Sequence, residues 1–97
     1  MTRFSDAQTR LVAARAHALA DETRIRILDV LSRAELPVGR IAAALSLEQS
    51  TISKHLQVLF RAGFVERRRA ASTVIYSLVD EGLLEWCRYL ARRAVKG

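Results

Sequence analysis

This sequence has little of what holds a chain together covalently. Its 97 residues include one cysteine, Cys87, and one proline, Pro37. A lone cysteine excludes an internal disulfide, which fits a reducing compartment. Long apolar runs are missing too. No stretch approaches the ~18 apolar residues of a membrane span, and Met1 to Arg10 lacks the apolar run of a secretory signal. A cytoplasmic chain with no membrane partner is the expectation. Glycine occurs only at Gly39, Gly63, Gly82 and Gly97, so there is no glycine-rich loop to cradle a phosphate. No nucleophile–base constellation stands out, and no paired carboxylates in an evident cleft. The chain reads as a non-enzyme with no catalytic residue.

Cations are what the sequence has in excess. Sixteen Lys and Arg face ten Asp and Glu, for a formal charge of +6, and fourteen of the sixteen are Arg. A guanidinium holds phosphate through a planar, bidentate fork, whereas an ammonium acts as a point charge. The excess therefore favours a polyanionic partner. A GC-rich genome would produce the same Arg bias, so composition leaves both explanations open. The length is that of a single domain, here taken as residues 1–97. Hydrophobic residues make up 51% of the chain, more than a thin core of this size needs, and the surplus suits a subunit interface.

The sparse punctuation divides the chain cleanly. A first helix is expected over residues 5–18, opened by a capping box of Ser5 and Gln8. A second begins near Asp21, carries Ile25, Leu28 and Leu31, and runs to about Ala34. Glu35-Leu36-Pro37 breaks it. A short third helix holds Val38, Ile41, Ala42 and Leu45. A tight turn follows at Ser46-Leu47, then a fourth helix to about Ala62, with Gly63 as its stop. Phe64 to Arg69 and Thr73 to Leu78 read as strands, since Val74, Tyr76 and Leu78 alternate with Ile75 and Ser77. The loop Ala70-Ala71-Ser72 has no glycine or Asn-Gly, which argues against a two-residue turn. A last helix spans residues 80–95. The fold class is mainly α with a β-hairpin wing, a winged helix-turn-helix in the order ααααββα.

The fourth helix carries the functional signal. Ile52, Leu56, Leu59 and Phe60 form a core stripe. Ser50, Ser53, Lys54, Gln57 and Arg61 form a polar stripe, and no acid occurs from Gln49 to Gly63. A solvated helix face usually mixes both charge signs. An acid-free face of short donors and acceptors suits the major groove, where each base pair shows its own hydrogen-bonding pattern. Gln49 or Gln57 can pair with adenine, and Lys54 can reach guanine. Residues 38–62 match the helix-turn-helix plan, with Ala42, Leu45, Leu47 and Ile52 locking its two helices. Ser46 stands where glycine is commoner, and a positive φ there would cost about 1 kcal/mol or more. Ser46 and Gln49 also read as a capping box, which would move the helix start. In the hairpin, residues 64–78, Arg67, Arg68 and Arg69 read either as a wing touching phosphates or as charges that protect an edge strand. Their place after a helix-turn-helix favours the wing.

Several runs resemble the ArsR/SmtB family of winged-helix repressors. Ala18 to Leu28 (ALADETRIRIL) resembles the approach to that family's second helix. Gln49 to Leu56 (QSTISKHL) is similar to its recognition helix, and Ala62 to Val65 (AGFV) with Val74 to Leu78 (VIYSL) to the start and end of its wing. The resemblance implies a homodimer built from the first and last helices, on an inverted-repeat operator, with repression relieved by an effector that the sequence does not identify. It implies groove contacts at Gln49, Ser50, Thr51, Ser53 and Lys54. Apolar faces on the end helices fit the dimer: Leu11, Ala14 and Ala18 on the first, and Leu83, Leu84, Cys87, Leu90, Ala91 and Ala94 on the last.

The chain departs from the family at its metal sites. Many members bind metal or arsenical with a Glu-Leu-Cys-Val-Cys-Asp motif, where this chain reads Glu35-Leu36-Pro37-Val38-Gly39-Arg40. Others use Asp and His along the last helix, and from Asp80 to Gly97 there is no His. The expectation is no metal and no cofactor, because such ions need a converging set of ligands. A metal-responsive repressor with an unusual site and a winged-helix protein-interaction module are the alternatives. His17 reads as packed or solvated, or as a ligand shared across a dimer. His55 reads as a buttress or a phosphate contact. Cys87 reads as an inert interface thiol or, paired between subunits, a redox switch.

Overall fold

A computed structural model describes residues 3–95, with side chains to residue 93. Local chemistry starts its first two helices. Helix α1 (Asp6–Leu19) opens on the expected reciprocal cap: Gln8 N donates to Ser5 Oγ at 3.1 Å, and Ser5 N donates to Gln8 Oε1 at 2.9 Å. Helix α2 (Glu22–Leu31) opens on Asp21, whose Oδ2 accepts from Arg24 N at 3.0 Å. That donor favours the charged form and holds the Asp21 carboxyl below its ordinary value.

Helix α2 stops at Leu31 rather than Ala34, because the chain turns there to form a strand the sequence did not announce. Leu36–Pro37 is β1, antiparallel to β3 (Thr73–Leu78), with Leu36 opposite Tyr76 and Pro37 opposite Ile75. A proline is tolerated there because β1 lies at the sheet edge, in the order β1-β3-β2. Among the described residues the architecture keeps the expected class: five helices, with a wing of β2 (Val65–Ala70) and β3, plus this short third strand.

Helices α3 (Val38–Leu45) and α4 (Gln49–Arg61) form the helix-turn-helix. Ser46 ends α3 in the left-handed region, φ 57 and ψ 43, with Leu47 N donating to Ala42 O at 3.0 Å and Ser46 N to Ala43 O at 3.3 Å. The same pair of bonds ends α4 around Gly63, at φ 86. Both are Schellman stops, one with the usual glycine and one without. Ser46 is thus spent on ending α3, so the Ser46–Gln49 capping box does not form. Glu48 is the N-cap of α4 and makes no side-chain cap bond.

The hairpin loop corrects another expectation. Ala70 pairs with Thr73, leaving only Ala71-Ser72 as a two-residue turn. Ala71 takes φ 57 without being glycine, a strain of about 1–2 kcal/mol that the paired strands on either side sustain. Helix α5 (Gly82–Val95) begins two residues after Asp80, whose Oδ1 accepts from Gly82 N at 2.8 Å.

The core draws on every helix and on the wing: Leu19 from α1, Ile27, Leu28 and Leu31 from α2, Ile41 and Ala42 from α3, Ile52, Leu56 and Leu59 from α4, Val65 from β2, and Leu84 from α5. Each large side chain removed from water contributes roughly 1.5–3 kcal/mol. Ile25, Leu47 and Phe60, read as packing residues, are instead exposed. Ile27 takes the core position on α2. Leu47 follows the left-handed turn outward, and Phe60 lies at the helix edge, under an arginine. Residues 3–17 are exposed throughout, so most of α1 stands off the body. The radius of gyration, 14.7 Å, accordingly exceeds the about 13 Å of a compact domain of this length.

Candidate nucleic-acid interface

Helix α4 is held by one face and free on the other. Ile52, Leu56 and Leu59 are fully buried, which fixes the rotation of the helix. That rotation leaves Gln49, Ser50, Thr51, Ser53, Lys54, Gln57 and Arg61 exposed together. All seven therefore share one accessible helix. Gln49 lies back toward α3, where a Cβ built at Gly39 would stand 3.3 Å from its Nε2.

The wing arginines, treated alike by the sequence reading, differ in the structure. The Arg67 guanidinium stacks 4.0 Å from the Phe60 ring centroid. Arg68 Nη2 donates to Glu35 Oε1 at 2.7 Å, pinning the outer face of the wing to the turn before β1. Arg69 is exposed and has no protein partner among the described residues. Strand alternation puts Arg67 and Arg69 on the face opposite Arg68.

His55 is half-buried, with Nδ1 3.3 Å from Arg24 Nη1 and 3.8 Å from Asp21 Oδ2, so it buttresses α4 against α2. Of the two readings of His55, the structure favours the buttress, and it supplies the partners, Arg24 and Asp21, that the sequence did not name. His17 is exposed.

The second candidate surface is apolar. Leu11, Val12, Trp86, Tyr89 and Leu90 are exposed along α1 and α5. A groove of about 450 Å³ runs between these helices and α2, lined by Leu19, Ile25, Trp86, Cys87 and Leu90 among others. Burial pushes the Cys87 thiol up, away from the reactive thiolate. Of the residues expected at a dimer interface, Leu11, Ala14 and Leu90 are exposed and Cys87 half-buried. Leu84, only 5% exposed, is committed to the protomer's own core, and Leu83 packs against it. These two leave the candidate surface, because the first turn of α5 covers the body before the helix projects. The Ala94 side chain lies outside the described residues. Val12, Trp86 and Ile25 are additions that only the helix orientations reveal.

Pro37, Gly39 and Arg40 bring no ligand atoms of the thiolate or carboxylate kind to the α3 region. Among the described residues, no three His, Cys, Asp or Glu side chains converge as a metal site would require. No helix among them is long and apolar enough to cross a membrane.

Comparison with known proteins settles the family. A family model described as a helix-turn-helix domain matches residues 19–68. A transcriptional repressor SmtB homolog from Synechocystis is 38% identical over 74 residues, covering 76% of this chain and 56% of that protein. The chain belongs to the ArsR/SmtB family of winged helix-turn-helix transcriptional regulators. This is a family of regulators, not of enzymes. The transcriptional activator HlyU of Vibrio cholerae is 46% identical over 61 residues, covering 63% of this chain and 56% of HlyU. The chain thus spans somewhat over half the length of these curated relatives. Among solved structures of the ArsR/SmtB fold, it is similar to the homodimeric winged helix-turn-helix DNA-binding domain of a possible ArsR-family regulator from Mycobacterium bovis. The TM-score is 0.85 and the identity 32%, covering 99% of this chain and 94% of that one.

Proposed function

We propose that this chain is one winged-helix domain that binds duplex DNA as a homodimer, places one α4 in each half-site of an inverted repeat, and represses by occupying it. The observation that carries this reading is the exposed, acid-free polar face of α4, backed by a fully buried opposite face. A helix gripped on one side and polar on the other is what groove reading needs. Gln49, Ser50, Thr51, Ser53, Lys54 and Gln57 are assigned to base edges and nearby backbone. Arg69 is assigned to phosphate, with Arg67 beside it. Arg68 joins them by exchanging Glu35 for phosphate.

The exposed apolar residues of α1 and α5 support pairing through Leu11, Ala14, Val12, Trp86, Cys87 and Leu90. The homodimeric description of the Mycobacterium bovis relative points the same way. The regulator is assigned to the cytoplasm and works without the family's cysteine or histidine metal sites.

Selection of bound genomic fragments, followed by gel-shift titration at 50 and about 200 mM salt, tests this reading. The expected result is an inverted repeat with half-sites ~34 Å apart and affinity that falls steeply with salt. Added divalent metal should leave binding unchanged. Equal binding to any duplex, or salt-insensitive capture of a protein partner with no DNA shift, would overturn it.

A further inference from the structure

We infer that Arg24 and Arg15 are positioning residues that set the angle of α4 against α1, and that Arg24 acts through His55. The inference rests on the reading of α4 as the DNA-reading helix. Arg24 reaches three acceptors on two other helices. Its Nε donates to Ala18 O at 2.6 Å and its Nη2 to His17 O at 3.3 Å, filling carbonyls in the last turn of α1. A cation is favoured at that negative helix end. Its Nη1 stands 3.3 Å from His55 Nδ1, in the middle of α4. Asp21 steadies the group from beneath, taking the Arg24 backbone N–H at 3.0 Å.

Arg15, on α1, holds the far end of the same helix: its Nε donates to Ala62 O, the C-cap of α4, at 3.2 Å. Helix α1 therefore grips α4 at His55 and at Ala62, roughly 10 Å apart along the axis at 1.5 Å per residue. Two points fix a direction. Apolar packing from α1 comes from its last two residues, Ala18 and Leu19, the ones it buries.

Because a guanidinium can only donate, the Arg24 contact at 3.3 Å is a hydrogen bond only with the ring tautomer that carries its hydrogen on Nε2 and leaves Nδ1 to accept. Since α1 belongs to the proposed pairing surface and α4 to the groove, the two pins transmit the dimer's geometry to the half-site spacing.

The test uses Arg24→Met and Arg15→Met, which keep bulk and remove donors, together with His55→Asn and His55→Gln. Asparagine places an acceptor where Nδ1 stands, whereas the glutamine amide reaches toward Nε2 and leaves Arg24 unpaired. Ring nitrogen shifts of His55, measured without DNA, should show a single Nε2–H tautomer that becomes mixed in Arg24→Met. Affinities are then measured for inverted repeats whose spacers differ by one base pair. Wild type should show a sharp optimum. Arg24→Met and Arg15→Met should lose about tenfold at that optimum and flatten the profile, with an unchanged dimer mass. His55→Asn should keep the wild-type profile, and His55→Gln should follow Arg24→Met. An unaltered spacing profile in Arg24→Met, or identical behaviour of the two His55 variants, overturns the inference. If wild type binds no DNA, the function reading fails, and the tautomer still decides the pin: an Nδ1–H ring in wild type would refute it.

Discussion

Helices α4 and α5 are nearly equal in length, 13 and 14 residues, and both are amphipathic, yet they leave opposite chemistry in solvent. Helix α4 buries its apolar stripe at Ile52, Leu56 and Leu59 and exposes hydroxyls, amides and cations. Helix α5 buries Leu84 and exposes Trp86 at 50% and Leu90 at 45%. The first is complete within one protomer, and its free face is suited to a polyanion. The second is incomplete, since an exposed apolar patch on a small domain marks an interaction surface. Two helices of similar pattern thus serve different partners because the body covers one stripe and not the other.

The largest effect is expected from a charge on the incomplete face. Leu90→Asp should weaken dimerisation at least 100-fold, about 3 kcal/mol, while the protomer stays folded because Leu90 is already exposed. Sedimentation would show the mass halve, and operator binding should fall with it. On the complete helix, Ser53→Ala and Lys54→Ala should each cost about 1–3 kcal/mol on the preferred site. Competition titrations should show binding to random duplex scarcely changed and the dimer intact. If Lys54→Ala lowered all duplexes equally, Lys54 would belong to phosphate rather than base reading.

Asp21 supports α4 from beneath, through the α2 cap and the Arg24–His55 contact. Asp21→Ala should lose about 1 kcal/mol in denaturant unfolding at neutral pH. Its folded carboxyl is held below the ordinary 3.8, so the stabilisation is complete above that value and is lost as pH falls through the lowered one. Wild type and variant should therefore converge in strong acid. The smallest effect is expected from Glu35→Gln, which releases Arg68 from its 2.7 Å ion pair. Affinity for any duplex should rise about twofold, as suits an exposed pair worth under ~1 kcal/mol. Arg69→Ala should lower affinity uniformly and reduce the salt slope by about 1.

Much of this arrangement was legible in local chemistry. The Ser5–Gln8 box, the Asp21 cap, the stop at Gly63 and the two stripes of α4 depend on neighbours within a few residues. What escaped depended on distant parts of the chain. Leu36–Pro37 becomes a strand only because Tyr76 and Ile75 lie alongside, and a proline there reads as a break. Ala71 accepts a left-handed turn because the strands beside it are paired. Phe60 has the spacing of a core residue but sits at the rim, under Arg67. Leu84 and Leu90 look equivalent on α5, and only the point at which the helix leaves the body separates them. The wing arginines look alike until Phe60 and Glu35 claim two of the three.

Whether one face reads DNA and the other pairs protomers is decided by a stoichiometric titration. An inverted repeat and a single half-site, each as duplex, would be titrated with the protein and followed by anisotropy and mass. Two protomers are expected on the inverted repeat, bound at least about 10³-fold more tightly than random duplex, with Leu90→Asp abolishing the advantage over the single half-site. Equal affinity for inverted repeat, half-site and random duplex, or an operator complex unchanged by Leu90→Asp, would contradict it.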